Sequence, residues 1–93
     1  MLRITVVSED EKAVTLKLDG RLTSEYLTDL KRLCLSYKDE KSKTVALDFS
    51  EVTFIDDHGV NMLENIKDEH VTITNCSLFI ETLLNKLVSG NKN

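Results

Sequence analysis

The stretch VALDFSEVTFIDDHGVNML, residues 45–63, decides the fold of this chain of 93 residues. Its apolar beginning predicts a buried strand, followed by a turn, a second short extended stretch at Thr53–Ile55, and a helix that begins at the acidic pair Asp56 and Asp57. A helix that starts directly after a strand presents free backbone N–H groups and the positive end of its dipole. The residues at this junction therefore determine whether it binds an anion, acts as a switch, or only caps the helix.

The flanking sequence predicts further strands and helices. Alternating apolar and polar residues predict a hairpin of two strands at Leu2–Val6 and Val14–Leu18, and Val71–Thr74 predicts a later strand. The run Thr44–Phe49 is mostly apolar and is interpreted as continuous rather than alternating, which is typical of a central strand covered on both faces. Apolar residues at spacings of three and four predict three helices, which begin near Thr23 or Ser24, at Asp56–Asp57, and near Ser77.

These elements predict an α/β fold in a single small domain that spans residues 1–93. The predicted order is β-β-α-β-α-β-α, with a mixed sheet of about four to five strands and helices packed against it. Lys38–Lys43 is expected to be a solvated connection, and the last helix is expected to extend to about Val88, before the polar tail Asn91–Asn93.

Composition and charge argue against several classes of function. The chain carries 12 Lys and Arg against 16 Asp and Glu, a net charge of −4, and no nucleic-acid binding is predicted because that normally needs a basic face. No apolar stretch approaches the ~20 residues of a membrane span, and Met1–Val7 is too short for a secretory signal, so we expect a cytoplasmic protein without membrane insertion. Cys34 and Cys76 are too far apart for a CxxC motif and are expected to be buried free thiols.

The sequence contains no constellation of catalytic residues. Its three glycines are isolated, so no phosphate-cradling loop is predicted, and His58 and His70 lie at opposite ends of the second predicted helix. Asp56, Asp57 and His58 are adjacent at a helix start and point in different directions, which is unsuitable for one metal ion. We therefore predict no enzyme, no metal and no cofactor, with Asp56 as the helix cap and His58 exposed and non-catalytic.

The segments LDGRL (residues 18–22), VALDFSEV (45–52) and FIDDHGV (54–60) resemble the STAS domain, the module of bacterial anti-sigma-factor antagonists and of sulfate-transporter tails. The resemblance covers nearly the whole chain, with the elements in the same order. Its most specific part is a phenylalanine-x-aspartate-x-x-glycine motif after a strand, here Phe54, Asp56 and Gly59. The resemblance implies a STAS fold and a role in protein–protein binding.

The antagonist members of the family usually carry a serine at this helix start, and a partner kinase that is also the anti-sigma factor phosphorylates it. Unphosphorylated antagonist binds the kinase and frees the sigma factor, whereas phosphorylated antagonist lets go. The resemblance places Asp57 at the serine position and His58 at the variable position, so no hydroxyl remains within the motif. Asp57 is either a partial mimic of phosphoserine, with one charge against about −1.5 to −2, or only a helix cap, and we favour the cap.

The family docks partners around this helix start. His58, Asn61 and Asn65 fall at i, i+3 and i+7 and form a polar stripe, with Glu64 and Asp68 beside them. The predicted partner-binding surface, which we call the α2 surface, consists of Asp56, Asp57, His58, Asn61, Glu64 and Asn65. The last helix is a second candidate surface, for a partner or a homodimer, because Leu78, Phe79 and Ile80 are consecutive and cannot easily face one core together.

Three functions are consistent with the sequence. The leading hypothesis is an anti-sigma-factor antagonist-like regulator that lacks the phosphorylatable serine. Its partner would be an anti-sigma factor with a GHKL-type kinase domain, or another regulatory protein, in signal transduction and transcription regulation. The alternative is a cytosolic STAS accessory subunit of a lipid-transport ABC system that binds its ATPase. The third is a phosphotransfer protein that uses His58 or Asp57, which no surrounding constellation supports.

Overall fold

The computed structural model describes residues 1–90, and the predicted tail Asn91–Asn93 lies outside these residues. For residues 85–90 it describes the backbone alone, so the predicted apolar side chains of Leu87 and Val88 also lie outside the description. The elements follow the predicted order β-β-α-β-α-β-α, with one added π-helical turn, Ser36–Glu40. They are β1 (Leu2–Glu9), β2 (Ala13–Leu22), α1 (Ser24–Leu35), β3 (Thr44–Ile55), α2 (Asp57–Ile66), β4 (Val71–Thr74) and α3 (Leu78–Gly90).

The four strands form one mixed sheet in the order β1-β2-β3-β4. The hairpin of β1 and β2 is antiparallel, whereas β2–β3 and β3–β4 are parallel pairs, each joined by a helical crossover. This arrangement confirms the predicted small α/β domain. It also brings the C-terminal ends of β2 and β3 together, with Leu22 paired to Ile55 directly before α1 and α2 begin.

One face of the sheet carries the hydrophobic core. Alternate residues of β2 and β3 are buried there, and they pack with residues from all three helices. The fully buried members include Leu16, Leu18, Leu47 and Phe49 from the strands, and Leu30, Cys34, Leu63 and Ile80 from the helices. Burial of a Leu or Phe side chain contributes about 1.5–3 kcal/mol, so this cluster is the main source of stability.

The prediction that β3 is covered on both faces is wrong. Val45, Leu47 and Phe49 are buried, but Ala46 and Asp48 between them are half-exposed. In the parallel pairing, Ala46 lies opposite Thr15 and Asp48 opposite Lys17, and both partners are half-exposed as well. The sheet therefore has an open polar face, because the helices that contribute to the core lie on the other side.

The predicted turn between two extended stretches is also absent, because β3 is a single strand of 12 residues. Its pairing with β2 shifts between Asp48 and Glu51 and again between Val52 and Phe54. At the first irregularity the backbone N–H of Ser50 donates a 2.9 Å hydrogen bond to Oδ1 of Asp48. The turn-like residues thus form bulges, which bend and twist the strand without ending it.

The predicted solvated connection, Lys38–Lys43, makes specific contacts. Nζ of Lys38 lies 2.6 Å from Oδ2 of Asp68, and Nζ of Lys43 lies 2.6 Å from Oε2 of Glu9. Tyr37, expected on the apolar face of α1, is buried but belongs to the π-helical turn instead. These contacts tie the end of the first crossover to β1 and to the loop after α2.

Helix α3 begins one residue later than predicted, at Leu78, and extends to Gly90. Its first turn confirms that three consecutive apolar residues cannot share one core. Ile80 is fully buried, whereas Leu78 and Phe79 are 82% and 56% exposed.

Candidate partner-binding site at the start of helix α2

Asp56 holds the N-termini of two helices with one carboxylate. Its Oδ1 accepts a 2.8 Å hydrogen bond from the backbone N–H of Gly59, which confirms the predicted cap on α2. Its Oδ2 accepts a 3.1 Å bond from the backbone N–H of Ser24, the first residue of α1. A carboxylate that accepts backbone N–H bonds at a helix N-terminus is favoured by both hydrogen bonding and the dipole. Asp56 therefore fixes α1 and α2 relative to each other.

Thr23, one of the two residues near which α1 is predicted to begin, occupies the N-cap position, but its side chain makes no capping hydrogen bond. The carboxylate of Asp56 satisfies the first N–H of α1 instead, from 32 residues away. The backbone N–H of Asp56 in turn donates to the carbonyl of Leu22 at 3.2 Å. The backbone of Asp56 thus joins the start of α2 to the end of β2, and its side chain joins that start to α1.

Gly59 is required by the close approach of α2 to the strands. It is buried, and a Cβ built on it would lie 2.7 Å from Cγ1 of Ile55 and 3.1 Å from the carbonyl oxygen of Leu22. Contacts this short would push the first turn of α2 away from the ends of β2 and β3. Asp56 and Gly59 of the motif therefore both hold the N-terminus of α2 close to the ends of β2 and β3.

The remaining residues of the α2 surface project into solvent. The favoured interpretation of Asp57 as a helix cap is wrong, because Asp56 occupies the N-cap position and Asp57 is the first helical residue, with an exposed side chain. The structure also leaves the side chains of four further residues exposed along α2, which are His58, Asn61, Glu64 and Asn65. The opposite side of the helix, with Val60, Leu63 and Ile66, is buried as predicted. The structure therefore brings the predicted residues together on one helix, with Asp56 half-buried beneath them.

Asp68 does not belong to this surface, contrary to the sequence interpretation. Helix α2 ends at Ile66, and Asp68 lies in the following loop. Its Oδ1 accepts hydrogen bonds from the backbone N–H groups of His70 and Val71, at 2.7 and 3.0 Å, while Oδ2 contacts Lys38. Asp68 therefore shapes the connection to β4.

A match to a known family covers most of the chain. Residues 5–87 match the family model described as Mlab, STAS domain. The chain belongs to the STAS domain family. A search among curated proteins gives no significant match.

Solved structures share the fold of this STAS domain. The anti-sigma factor antagonist SpoIIAA in its unphosphorylated form is 15% identical, with a TM-score of 0.66 over 89% of this chain and 82% of that one. An uncharacterised protein of Shewanella loihica PV-4 with a SpoIIAA-like fold is 16% identical, with a TM-score of 0.57 over 96% of this chain and 78% of that one. Identities this low establish the fold alone.

The other family-like segment of this STAS domain, residues 18–22, has a packing role beside the α2 start. Gly20 has φ of +118°, and a Cβ there would overlap the carbonyl of Met1. The guanidinium of Arg21 lies over the ring of Phe54, 4.7 Å from its centroid, in the register that also pairs these two residues across the strands. A contact of this kind stabilises modestly at a partly exposed site. It links β2 to the motif at the end of β3.

Sequence reasoning missed a crevice of about 180 Å³ beside the α2 surface of this STAS domain. Its lining comes from α2, β4, α3 and the loops that follow α2 and β4, and consists of Leu63, Glu64, Lys67, Ile73, Cys76, Glu81 and Leu84. No local signal in the sequence brings Glu64 near Glu81, because their proximity depends on how α3 packs. Among the described residues there is no cluster of His, Cys, Asp and Glu that could hold a metal ion, and no helix long and apolar enough to cross a membrane.

Proposed function

We propose that this STAS domain is a non-enzymatic protein-interaction module that binds its partner through the α2 surface. The observation that carries the proposal is a row of five exposed polar side chains on a helix whose start is fixed by Asp56 to α1 and β2. A recognition surface on a rigid element binds with little loss of conformational entropy. The buried apolar side of α2 supplies that rigidity, while the exposed side remains available to a partner.

The residues of the proposed surface have different roles. Asp56 is half-buried and both its carboxylate oxygens accept backbone hydrogen bonds, so it positions the surface and has little left to offer a partner. Asp57 and Glu64 present exposed carboxylates, and Glu25 adds a third in the first turn of α1, next to the N–H that Asp56 holds. This acidic environment fits a partner surface with Lys, Arg or other hydrogen-bond donors, because complementary potentials favour association.

The partner class we favour is that of an antagonist-type pathway, an anti-sigma factor with a GHKL-type kinase domain or a related regulatory protein in the cytoplasm. The fold shared with SpoIIAA supports the architecture of such a module. Asp57 stands where the resemblance expects serine, and Asp56–Gly59 contains no hydroxyl. Binding would therefore not be released by serine phosphorylation at this position. Asp57 would supply a constant single negative charge, which mimics phosphoserine only in part.

The second candidate is a cytosolic accessory subunit that binds the ATPase of a lipid-transport ABC system. Two observations favour it. The motif has no hydroxyl that a serine kinase could phosphorylate, as suits a subunit that stays bound. Residues 5–87 match the family model described as Mlab, STAS domain.

Direct binding measurements with purified partners separate the two candidates. Affinity purification from the native host would nominate partners, and a GHKL-type kinase domain and an ABC ATPase would then be titrated against the purified STAS domain. The test variant is Asn61→Lys, which places a positive charge in the centre of the α2 surface. The control is Thr28→Lys, the same charge change on the exposed part of α1.

We expect Asn61→Lys to weaken binding at least about tenfold, as for a central interface residue, and Thr28→Lys to leave it unchanged. Binding to the kinase domain, with phosphorylation regained in Asp57→Ser, supports the antagonist proposal. Binding to the ATPase supports the second candidate. Equal effects of the two lysine variants would show that the partner docks elsewhere.

A further inference from the structure

Strand β1 is an open edge of the sheet. In the strand order β1-β2-β3-β4 it pairs with β2 on one side, and among residues 1–90 no strand pairs with its other side. The backbone N–H and C=O groups along that side are free to pair with another strand. Leu2, Ile4 and Val6 lie opposite Gly20, Leu18 and Leu16 and so point to the core side. They nevertheless remain half-buried or exposed, Val6 to 46%, because the buried core lies over β2 and β3.

A bulge limits how much of this edge can be used. The register with β2 is regular from Leu2 to Val6 and shifts between Val6 and Ser8, which leaves Val7 unpaired and 51% exposed. A bulge bends the strand and breaks the alternation of its side chains. The segment that can accept a further strand is therefore Leu2–Val6, which carries no proline and one charge, that of Arg3.

The side-chain pattern of Leu2–Val6 is self-complementary under two-fold symmetry. An isologous pairing of two identical strands is antiparallel, and side chains directly opposite each other share a face of the sheet. The register centred on Ile4 uses all five residues. It places Leu2 opposite Val6 of the second copy and Ile4 opposite Ile4 on the core side, with Arg3 opposite Thr5 on the polar side. Apolar residues meet apolar residues, and no two like charges face each other.

We propose that this STAS domain forms a homodimer through β1, with Ile4 on the two-fold axis, so that two sheets join into one of eight strands. The interface lies at the edge opposite β4, away from α2, so a dimer would carry two free α2 surfaces. Five paired residues a side bury less than the ~1,200 Å² of a standard interface, so the dimer belongs to the weak, concentration-dependent class. The proposal is independent of the partner that binds the α2 surface.

Disulfide cross-linking tests the register. In a Cys76→Ser background, which removes the half-exposed native thiol, Ile4→Cys would place two thiols opposite each other on the axis. Directly opposite Cβ atoms lie about 4.5–5.5 Å apart, close to what a disulfide needs. We expect Ile4→Cys to form a covalent dimer under mild oxidation. Ser8→Cys, exposed on the same strand but beyond the bulge, should remain mostly monomeric.

Charge substitutions at exposed Thr5 test the same register without covalent chemistry. Thr5→Glu would face Arg3 of the second copy and should tighten the dimer about fivefold, whereas Thr5→Lys should weaken it to a similar extent. Two-fold symmetry produces this cross-strand pair twice in each dimer, so both pairs contribute to the change. Sedimentation equilibrium over a wide concentration range gives both constants, and circular dichroism verifies that the variants are folded.

A wild-type chain that stays monomeric at its highest soluble concentration would overturn the proposal. So would Ile4→Cys cross-linking no faster than Ser8→Cys, or equal dimerisation of the two Thr5 variants. If the β1 edge instead accepts a strand from a different protein, the isolated chain gives that same monomeric result and the homodimer is rejected.

Discussion

At the scale of single residues, the two hydrogen bonds of Asp56 can be separated by substitution. Asp56→Ala removes the acceptors for Gly59 and Ser24 together and should destabilise the fold by about 1–2 kcal/mol. Asp56→Asn keeps one oxygen for the α2 cap but turns an NH2 group toward the N–H of Ser24. It should cost about half as much, since one bond is lost. Chemical denaturation measures both values.

Asp57→Ala is the matched control for this series. Asp57 is the first helical residue, exposed, and not the cap, so its loss removes only a favourable charge near the dipole, worth at most about 0.5–1 kcal/mol. A larger cost for Asp57→Ala than for Asp56→Ala would contradict the assignment of Asp56 as the residue that seats α2.

The sequence identified Asp56 as a cap because that prediction depends only on neighbouring residues. The bond from Ser24 could not be predicted, since it joins residues 32 positions apart and exists only when the ends of β2 and β3 lie side by side. Thr23 occupies the N-cap position of α1, but the side-chain acceptor at this helix start comes from Asp56.

At the scale of elements, the loop between α2 and β4 should make acid stability depend on Asp68. The hydrogen bond from Lys38, together with the backbone N–H groups of His70 and Val71, lowers the pKa of Asp68 from 3.8 to about 2. Because the pKa in the folded state is depressed, the stabilisation is present above pH 3.8 and is lost as the pH falls through about 2.

Thermal unfolding of the wild type and Asp68→Asn across this pH range measures the effect. We expect the melting temperature of the wild type to fall more steeply between pH 3.8 and about 2 than that of the variant. Asp29→Asn, which breaks an exposed ion pair with Arg32 on α1, should leave the change of melting temperature with pH as it is in the wild type. Parallel curves for wild type and Asp68→Asn would show that the Lys38 contact does not persist in solution.

Elements with a clear period were predicted well, and the irregular ones were not. The alternation in β2 and the helical spacing in α2 identified their buried sides. The bulges of β3 looked like a turn because Asp48 and Ser50 are residues typical of turns, and their Asx-type hydrogen bond is the same in both settings. No comparable local pattern predicts the π-helical turn at Ser36–Glu40. Tyr37 is buried in this turn, and its burial depends on packing against the rest of the fold.

At the scale of the whole molecule, the order of elements and the motif at residues 54–59 were sufficient to predict the fold, because each crossover constrains where the next strand lies. The position in which α3 packs against the rest of the domain could not be predicted in the same way. Its short apolar run indicated one buried residue and some exposed ones, but not the crevice that Glu64 and Glu81 share. Partner choice depends on such surfaces, which the hydrophobic pattern does not specify.

The two thiols should report local and global motion of the molecule separately. Cys34 is fully buried as predicted, and burial raises its pKa to about 11. The prediction that Cys76 is also buried is wrong, because it is half-exposed; partial burial and nearby Glu81 raise its pKa. Alkylation followed by mass spectrometry should therefore label Cys76 in the native state. Cys34, in the core between the sheet and α1, should react only after global unfolding, at least about 10³-fold more slowly.

Asp56→Ala should then accelerate the labelling of Cys34 by the factor that corresponds to its loss of stability, about five- to thirtyfold, and leave Cys76 nearly unchanged. The two rates are measured with one reagent in one sample, so differences in reagent concentration and handling cancel. If Cys34 reacted as fast as Cys76 in the wild type, α1 would open without the rest of the domain. The hydrogen bonds of Asp56 to α1 and α2 would then not make these two helices unfold together.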